Sequence, residues 1–250
     1  MTTVAAHSPP RRAAATHWRL RLLDGFELSF DNSPVVLARS AQRLISMLAL
    51  GDRPVARSYA SGVLWSDRDS EHANACLRSA IWRTRSPGRQ PVVIATPTHV
   101  SLASWVEVDF RSSVARSRRV LSTEGPAADL PIAFDELDEL CAELLPDWYD
   151  DWVLLERERY RQLQLHALER LSDRFRLAGR FAESLHVALT AVASDPLRES
   201  AQRRVIDTHL AEGNLADALR QYRRYARLLA AELGLQPSGD LRQYIEMLSA

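Results

Sequence analysis

A motif that occurs twice in the C-terminal half restricts the possible folds more than any other feature of the chain. Residues 178–185, Ala-Gly-Arg-Phe-Ala-Glu-Ser-Leu, match residues 212–219, Glu-Gly-Asn-Leu-Ala-Asp-Ala-Leu, at an offset of 34 residues. In each copy the glycine is expected to end one helix, and a small alanine lets the paired helix pack closely. One helix pair cannot bury its apolar side alone and must stack on a neighbouring pair. The motif therefore predicts a region of stacked helices.

Helical spacing continues over the rest of this half. An offset of 34 is the tetratricopeptide period, and beyond Asp109 the apolar residues keep helical spacing without a strand pattern. The predicted helices cover residues 109–122, 133–145, 149–178, 180–193, 197–212, 214–233 and 239–249. We expect residues 107–250 to form an all-α, tetratricopeptide-like domain, whose curved surface binds protein segments and rarely performs chemistry.

The N-terminal part follows a different pattern. Residues 1–16 are small, polar and rich in proline and alanine, which predicts a disordered tail. Over residues 17–37 apolar and polar positions alternate, with turn residues at Asp24-Gly25 and at 31–34. This alternation predicts two or three short antiparallel strands, the last of them at Val35–Leu37.

Three helices and a β-hairpin come next. The spacing predicts helices that begin near Leu37, at Ser58 as N-cap, and at Ser70 with Ser70 or Asp69 as cap. The hairpin joins residues 92–94 to Val100 and Leu102 through a Thr-Pro-Thr-His turn. Strands, three helices and a hairpin are the outline of a winged helix-turn-helix, so residues 17–106 are expected to form an α+β domain of that type.

The third helix has two chemically distinct faces. The inward stripe predicted for it is Ala73, Leu77, Ala80, Ile81 and Thr84, and the opposite stripe is Glu71, Asn74, Arg78, Trp82 and Arg85, with Ser79 and Arg83 beside it. Arginine binds guanine acceptors or phosphates, and asparagine can pair with adenine, so the outer face suits a DNA groove. A solvated helix face is the alternative. Trp82 should be exposed to solvent on that face unless it contacts a sugar, a second protomer or the hairpin.

Further candidate contacts lie outside this helix. Arg43 and Arg39 on the first helix are expected to meet backbone phosphate or to be solvated. Arg57, near the positive end of the second helix, could also meet phosphate. Thr98 and His99 at the hairpin turn are expected either to reach the minor groove or to form a plain turn.

Charge and composition exclude several classes of function. Every basic residue is arginine, which removes lysine-dependent phosphate loops, Schiff bases and kinase sites. Residues 1–110 carry 13 arginines against 9 acids, a net of +4, and residues 111–250 carry 19 against 23, a net of −4. A basic half joined to an acidic one indicates that the first contacts a polyanion. No catalytic, cofactor-binding or metal-ligand motif occurs, so we expect no enzyme and no cofactor.

The chain is expected to be cytoplasmic and nucleoid-associated. It contains no apolar run long enough to cross a membrane and no apolar signal region after Arg11 and Arg12. Its two cysteines, Cys76 and Cys141, lie far apart and show no metal-ligand spacing.

Nine segments in one order resemble the SARP-type activators, the Streptomyces antibiotic regulatory protein family. In the first domain these are Leu22–Leu28, Gln42–Leu44, Val63–Asp67 and Leu77–Arg85; in the second they are Val108–Phe110, Leu144–Pro146, Trp152–Arg159, Asp195–Glu199 and Glu232–Ser238. The resemblance covers nearly the whole chain. Trp82, Thr84 and the hairpin turn depart from the family pattern, and the chain resembles the short members without an ATPase module.

The resemblance implies an OmpR-type winged helix followed by a bacterial transcriptional activator domain. Such proteins bind direct repeats near promoters, for which secondary-metabolite genes are the expected targets, as two protomers head to tail, and they recruit RNA polymerase. The third helix would enter the major groove and the hairpin the minor groove. The loop Ser66, Asp67, Arg68, Asp69 would correspond to the loop that touches polymerase.

Two other functions stay open on the sequence alone. The near-neutral total charge leaves room for a repeat-based adaptor in which a degenerate winged helix makes protein contacts. A weaker alternative is control by a small molecule bound among the helices at 150–234.

Overall fold

The computed structural model describes residues 17–85, 89–122 and 140–249. Contacts between Cα atoms divide the chain into two compact units. The first comprises Met1–Arg21 and Glu27–Val108, and the second Leu22–Phe26 and Asp109–Ala250. The predicted tail at 1–16 and residues 133–139 of the helix predicted over 133–145 lie outside the described residues. The prediction is wrong for residues 142–145, which are not helical because Leu144 and Leu145 pair with the backbone of Leu23 and Leu22.

A four-stranded sheet opens the first unit. Its strands are β1 (Trp18–Arg21), β2 (Glu27–Phe30), β3 (Ser33–Pro34) and, from later in the chain, β7 (Val106–Val108), in the order β3-β2-β1-β7. β1 pairs antiparallel with β2 and parallel with β7. The alternation of β1 is the predicted one, since Trp18 and Leu20 are buried while Arg19 and Arg21 are exposed.

The third strand lies two residues earlier than predicted. Asp31 and Asn32 both have positive φ, of 49° and 62°, which is the geometry of a two-residue hairpin turn. The turn therefore pairs Phe30 directly with Ser33, and the strand forms at Ser33–Pro34 instead of Val35–Leu37.

Three helices and a second sheet complete the winged helix. The helices are α1 (Arg39–Leu50), α2 (Arg57–Leu64) and α3 (Ser70–Arg83); the strands are β4 (Val55–Ala56), β5 (Val93–Ala95) and β6 (His99–Leu102), in the order β4-β6-β5. α2 begins one residue before the predicted N-cap Ser58, because the Arg57 N–H is satisfied by the Thr98 carbonyl at 2.9 Å. The α+β winged helix read from the sequence is confirmed.

The core side of α3 is the one that its sequence predicts. Ala73, Leu77, Ala80, Ile81 and Thr84 are all buried. Asp69 is the N-cap, and its carboxylate accepts the backbone N–H of His72 at 2.9 Å. Because the inward stripe is fixed by apolar contacts, the opposite stripe is held at the surface.

The second unit is helical in its described residues. Its helices are α4 (Asp109–Ser122), α5 (Asp151–Leu177), α6 (Phe181–Ser194), α7 (Glu199–Ala211), α8 (Leu215–Leu233) and α9 (Gly239–Ser249). From α5 to α8 each helix packs on the next. One apolar cluster joins α4 through α7 around Leu168 and Phe175, and a second joins α7, α8 and α9 around Tyr225 and Leu241. No described helix has the length and apolar character that a bilayer crossing requires.

The two copies of the repeat have the same backbone geometry. Gly179 and Gly213 follow α5 and α7 with φ of 72° and 89°, in the left-handed region that favours glycine. The next N–H, of Arg180 or Asn214, donates to a carbonyl five residues back at 2.8 Å in both copies. Ser184 and Ala218, 34 residues apart, are both fully buried. The tetratricopeptide-like period is thus a structural repeat.

A short segment of the N-terminal half belongs to the second unit. The Asp109 carboxylate accepts the N–H groups of Leu22 and Leu23 at distances from 2.9 to 3.1 Å. The Leu145 N–H donates to the Leu22 carbonyl at 2.9 Å, and Leu23 forms an isolated bridge with Leu144. These bonds join Leu22 and Leu23 to Asp109 and to Leu144 and Leu145.

A half-buried ion pair ties the start of α7 to α5. Arg198 Nε lies 2.6 Å from Glu169 Oε1, which also accepts the Ser200 hydroxyl at 2.6 Å. Burial opposes the ionisation of Glu169, but the hydrogen bonds from Arg198 and Ser200 outweigh it, so the pKa of this carboxyl lies below its ordinary value.

Glu169→Gln is expected to lower the free energy of unfolding by about 1–2 kcal/mol near pH 7, since the amide still accepts hydrogen bonds but carries no charge. A carboxyl group whose pKa is lower in the folded protein than in the unfolded chain adds to stability at pH values above its ordinary pKa of about 4.3. That stability is lost as the pH falls through the pKa of the folded protein. In urea unfolding, the difference in stability between the two proteins should therefore begin to shrink below about pH 4.3 and should close only once the pH has fallen below the lowered pKa of folded Glu169. Glu156→Gln, which breaks an exposed pair with Arg159, should cost less than about 0.5 kcal/mol at any pH. If the difference in unfolding free energy between the parent and Glu169→Gln persisted at low pH, the ionised Glu169 carboxylate would not be the source of the stabilisation.

Candidate nucleic-acid interface

The outer face of α3 is open to solvent. Arg78, Ser79, Arg83 and Arg85 are exposed, and Asn74 is half-buried. Trp82 is 70% exposed at the centre of this face. The side chains predicted to read DNA on this helix are therefore available to a ligand.

Charge is unevenly distributed along α3. Asp69 and Glu71 lie at its beginning, where negative charge suits the helix dipole, and Arg78, Arg83 and Arg85 lie in or just after its second half. In the described residues none of these three arginines has a carboxylate within ion-pair distance; Arg83 Nη1 lies 3.4 Å from the Ser40 hydroxyl. The positive charge of the helix is thus concentrated in its C-terminal half.

A groove of about 990 Å³ adjoins this basic end. It is lined by Val36, Leu37, Ala38, Trp82, Arg83, Arg85, Arg89 and Pro91, and none of these residues is acidic. Val36 is 95% exposed. The Arg89 guanidinium stacks on Phe30, 4.6 Å from the ring centroid. Arg89 and Val36 were not predicted from the sequence as site residues.

The hairpin brings Arg57 together with Thr98 and His99. Arg57 Nη1 donates to the Thr96 carbonyl at 3.2 Å, and the His99 N–H donates to the Thr96 hydroxyl at 2.9 Å. The His99 ring and the Thr98 hydroxyl are 3.0 Å apart. Arg57 was expected at the positive end of α2, and it is there, but its guanidinium is held by the wing. These hydrogen bonds hold the turn in place, and its polar side chains are exposed.

Two more arginines belong in this description. Arg53 lines a shallow depression with Thr96 and His99 and was not singled out from the sequence. Arg43, in the middle of α1, is half-buried, whereas Arg39, at the start of that helix, is exposed. Arg43 is therefore less accessible than the arginines of α3.

The loop between α2 and α3 is exposed at Ser66, Asp67, Arg68 and Asp69. Asp69 also has a structural role, because its carboxylate lies 2.6 Å from His72 Nδ1 as well as capping α3. The hydrogen bond from the His72 backbone, followed by that from its ring, lowers the pKa of Asp69. Ser66, Asp67 and Arg68 are exposed and do not cap the helix. The part of the chain that the structure describes contains no group of three side chains able to hold a metal ion.

The comparisons with known proteins agree on the second unit and on the fold. The family model "Bacterial transcriptional activator domain" matches residues 108–248, more than half of the chain. Among solved structures, Mycobacterium tuberculosis EmbR in complex with a low affinity phosphopeptide is similar, with a TM-score of 0.71 and 22% sequence identity. That similarity covers 92% of this chain and 64% of the EmbR chain. No curated protein matches.

These matches confirm the resemblance to the SARP-type activators. The structural similarity extends over both units and supports the order of a winged helix followed by helical repeats. At this sequence identity it establishes the fold alone. The family match covers the helices that carry the repeat, and by that match the chain belongs to the bacterial transcriptional activator domain family.

Proposed function

We propose that this bacterial transcriptional activator binds duplex DNA sequence-specifically through residues 17–106 and contacts protein partners through residues 107–250. The observation that carries the proposal is the exposed face of α3, where Arg78, Trp82 and Arg85 lie at successive turns with no carboxylate paired to either arginine in the described chain. Guanidinium groups in this arrangement bind guanine acceptors and phosphates.

Each predicted contact has a place in this scheme. α3 enters the major groove, where Asn74, Arg78 and Ser79 face bases and Arg83 and Arg85 face phosphates. The wing, with Thr98 and His99 braced by Arg57, reaches the adjacent minor groove. Arg43 has a supporting role on the backbone, since it is only half-accessible.

The assembly proposed follows from the family. Two protomers bind direct repeats head to tail near a promoter, and Ser66, Asp67, Arg68 and Asp69 contact RNA polymerase, in a protein of the cytoplasm associated with the nucleoid. The exposure of this loop supports the polymerase contact.

Salt dependence tests the proposal. The affinity for DNA from upstream of the chain's own gene should fall linearly with salt on a log–log plot, with a slope of about −0.9 for each neutralised phosphate. Specific binding should be at least about 10³-fold tighter than binding to an unrelated duplex. A salt-independent association, or none, would contradict the proposal.

A protein adaptor is the second candidate, and the repeat-bearing unit favours it, because stacked helix pairs bind peptide segments. In that case the winged helix would give no salt-sensitive shift of any duplex. A defined partner that binds equally well when Arg78 and Arg85 are both alanine would support the adaptor.

A further inference from the structure

A row of arginines follows one face of α8. Arg220, Arg223, Arg224 and Arg227 have the spacing i, i+3, i+4, i+7, which places them side by side on a helix. All four are exposed. They lie in the half of the chain that carries a net charge of −4, so the row is not part of a general basic surface.

Most of these arginines lack the acidic partner that many arginines of the second unit have in the described residues. Arg161, Arg180 and Arg198 each lie within 3.0 Å of a carboxylate oxygen. In the row only Arg220 is paired, with Asp217. Within the described chain no acid lies within ion-pair distance of Arg223, Arg224 or Arg227, and the Arg227 Nε donates to the carbonyl of Arg223 at 3.3 Å.

The row has an energetic cost that the fold does not compensate. Like charges at i, i+3 and i+4 repel one another and destabilise a helix. The apolar side of α8 is already fixed by Ala218, Tyr225 and Leu229, so folding does not require arginine on the other side. The charges therefore point to a polyanionic ligand.

The composition of this face favours nucleic acid over an acidic protein. Apart from Asp217 at its edge, the face holds exposed alanines at 216, 230 and 231 and no large aliphatic or aromatic side chain. Protein interfaces depend on a desolvated centre with such anchors, whereas phosphate backbones are bound by cations alone. The four side chains span about 10 Å of helix axis, a length over which a duplex presents several phosphates.

We propose that the arginine row of α8 is a second DNA-contacting surface, which binds duplex phosphates without reading bases. The inference rests on the proposed function only in that the same duplex is held by the winged helix. A second contact on the same molecule raises overall affinity through its high effective concentration. The row thus adds salt-sensitive affinity to the sequence-specific contacts of α3.

The test compares two triple variants of the full chain. Arg223→Gln/Arg224→Gln/Arg227→Gln removes the row, and Arg118→Gln/Arg170→Gln/Arg242→Gln removes three exposed arginines from three different helices, with the same change in net charge. Binding to a labelled duplex of arbitrary sequence, about 40 bp long, is followed by fluorescence anisotropy between about 50 and 200 mM salt. Circular dichroism verifies that both variants keep the helical content of the parent.

The row variant should lose about two to three units of the log–log salt slope and bind about tenfold or more weakly at the lowest salt. The control variant should keep the parent slope. Equal slopes for parent and row variant would overturn the proposal and assign the face to solvent or to an acidic protein. An equal loss in both variants would also overturn it, because net charge alone would explain the effect.

A winged-helix variant separates this inference from the proposed function. If Arg78→Ala/Arg85→Ala abolishes preference for the promoter DNA while the row variant matches the parent, the proposed function stands and the second surface fails. If the row variant loses binding and the winged-helix variant does not, the row stands and α3 is not the reader. A parent protein that binds no duplex would overturn both.

Discussion

Replacing Arg78 and Arg85 together with alanine is expected to weaken binding to the promoter DNA by about 30-fold or more, because Arg78 loses a base contact that contributes about 1–3 kcal/mol and Arg85 loses a phosphate contact. The two side chains lie two turns apart on the exposed face of α3 or just after it, and both are unpaired with acids in the described residues. Titration of the variant against promoter DNA and against an unrelated duplex measures both affinity and specificity. The specificity ratio should fall further than non-specific affinity, since base contacts carry the discrimination.

The matched control replaces two other exposed arginines of the same unit, Arg21 and Arg68, with alanine. Arg21 pairs with Glu27 at 2.6 Å on the sheet, and Arg68 lies in the loop before α3. This control should keep the footprint of the parent, and through Arg68 it should lower transcription by polymerase. An unchanged footprint for the α3 variant would show that another surface reads the DNA.

The features that were predictable from sequence are those with a local pattern. The period of α3 fixed which residues face the core, and all five inward residues are buried. The helix boundaries from α5 to α9 lie within two residues of those predicted, because glycine and proline mark the ends. The repeat at 178 and 212 was visible because each copy needs the same left-handed glycine.

The features that sequence analysis missed depend on contacts between distant segments. β4 has only two residues and β7 only three, too few to show alternation, and each forms because a partner strand lies beside it. The groove beside α3 combines Val36 with Arg89, which are more than fifty positions apart. Neither residue carries a local signal for that neighbour.

The segment Leu22–Phe26 was read as the end of one strand and a turn, yet it belongs to the second unit. Its sequence, two leucines followed by Asp24-Gly25 and Phe26, fits both roles. Asp109 determines which role the segment adopts, because its carboxylate accepts the backbone N–H groups of Leu22 and Leu23. Without this acceptor, a neighbouring strand would have to satisfy those two N–H groups. A backbone position of this kind is set by a side chain 86 residues away.

Asp109→Ala is therefore expected to lower the free energy of unfolding of the second unit by about 3–5 kcal/mol. Besides Leu22 and Leu23, the carboxylate accepts the Phe110 N–H at 2.6 Å, so the substitution leaves three backbone donors without their acceptor. Each unsatisfied donor costs about 1–3 kcal/mol, and water can reach part of this half-buried site. Urea unfolding followed by circular dichroism measures the loss.

Two controls define the role of Asp109. Asp109→Asn keeps one carbonyl oxygen and should lose about half as much as the alanine variant, since an amide accepts fewer and weaker hydrogen bonds than a carboxylate. Asp24→Ala removes an acceptor of one exposed bond, from the Glu143 N–H at 2.9 Å, and should cost about 1 kcal/mol. If Asp109→Ala cost no more than Asp24→Ala, the Leu22–Phe26 segment would be held by its apolar side chains instead.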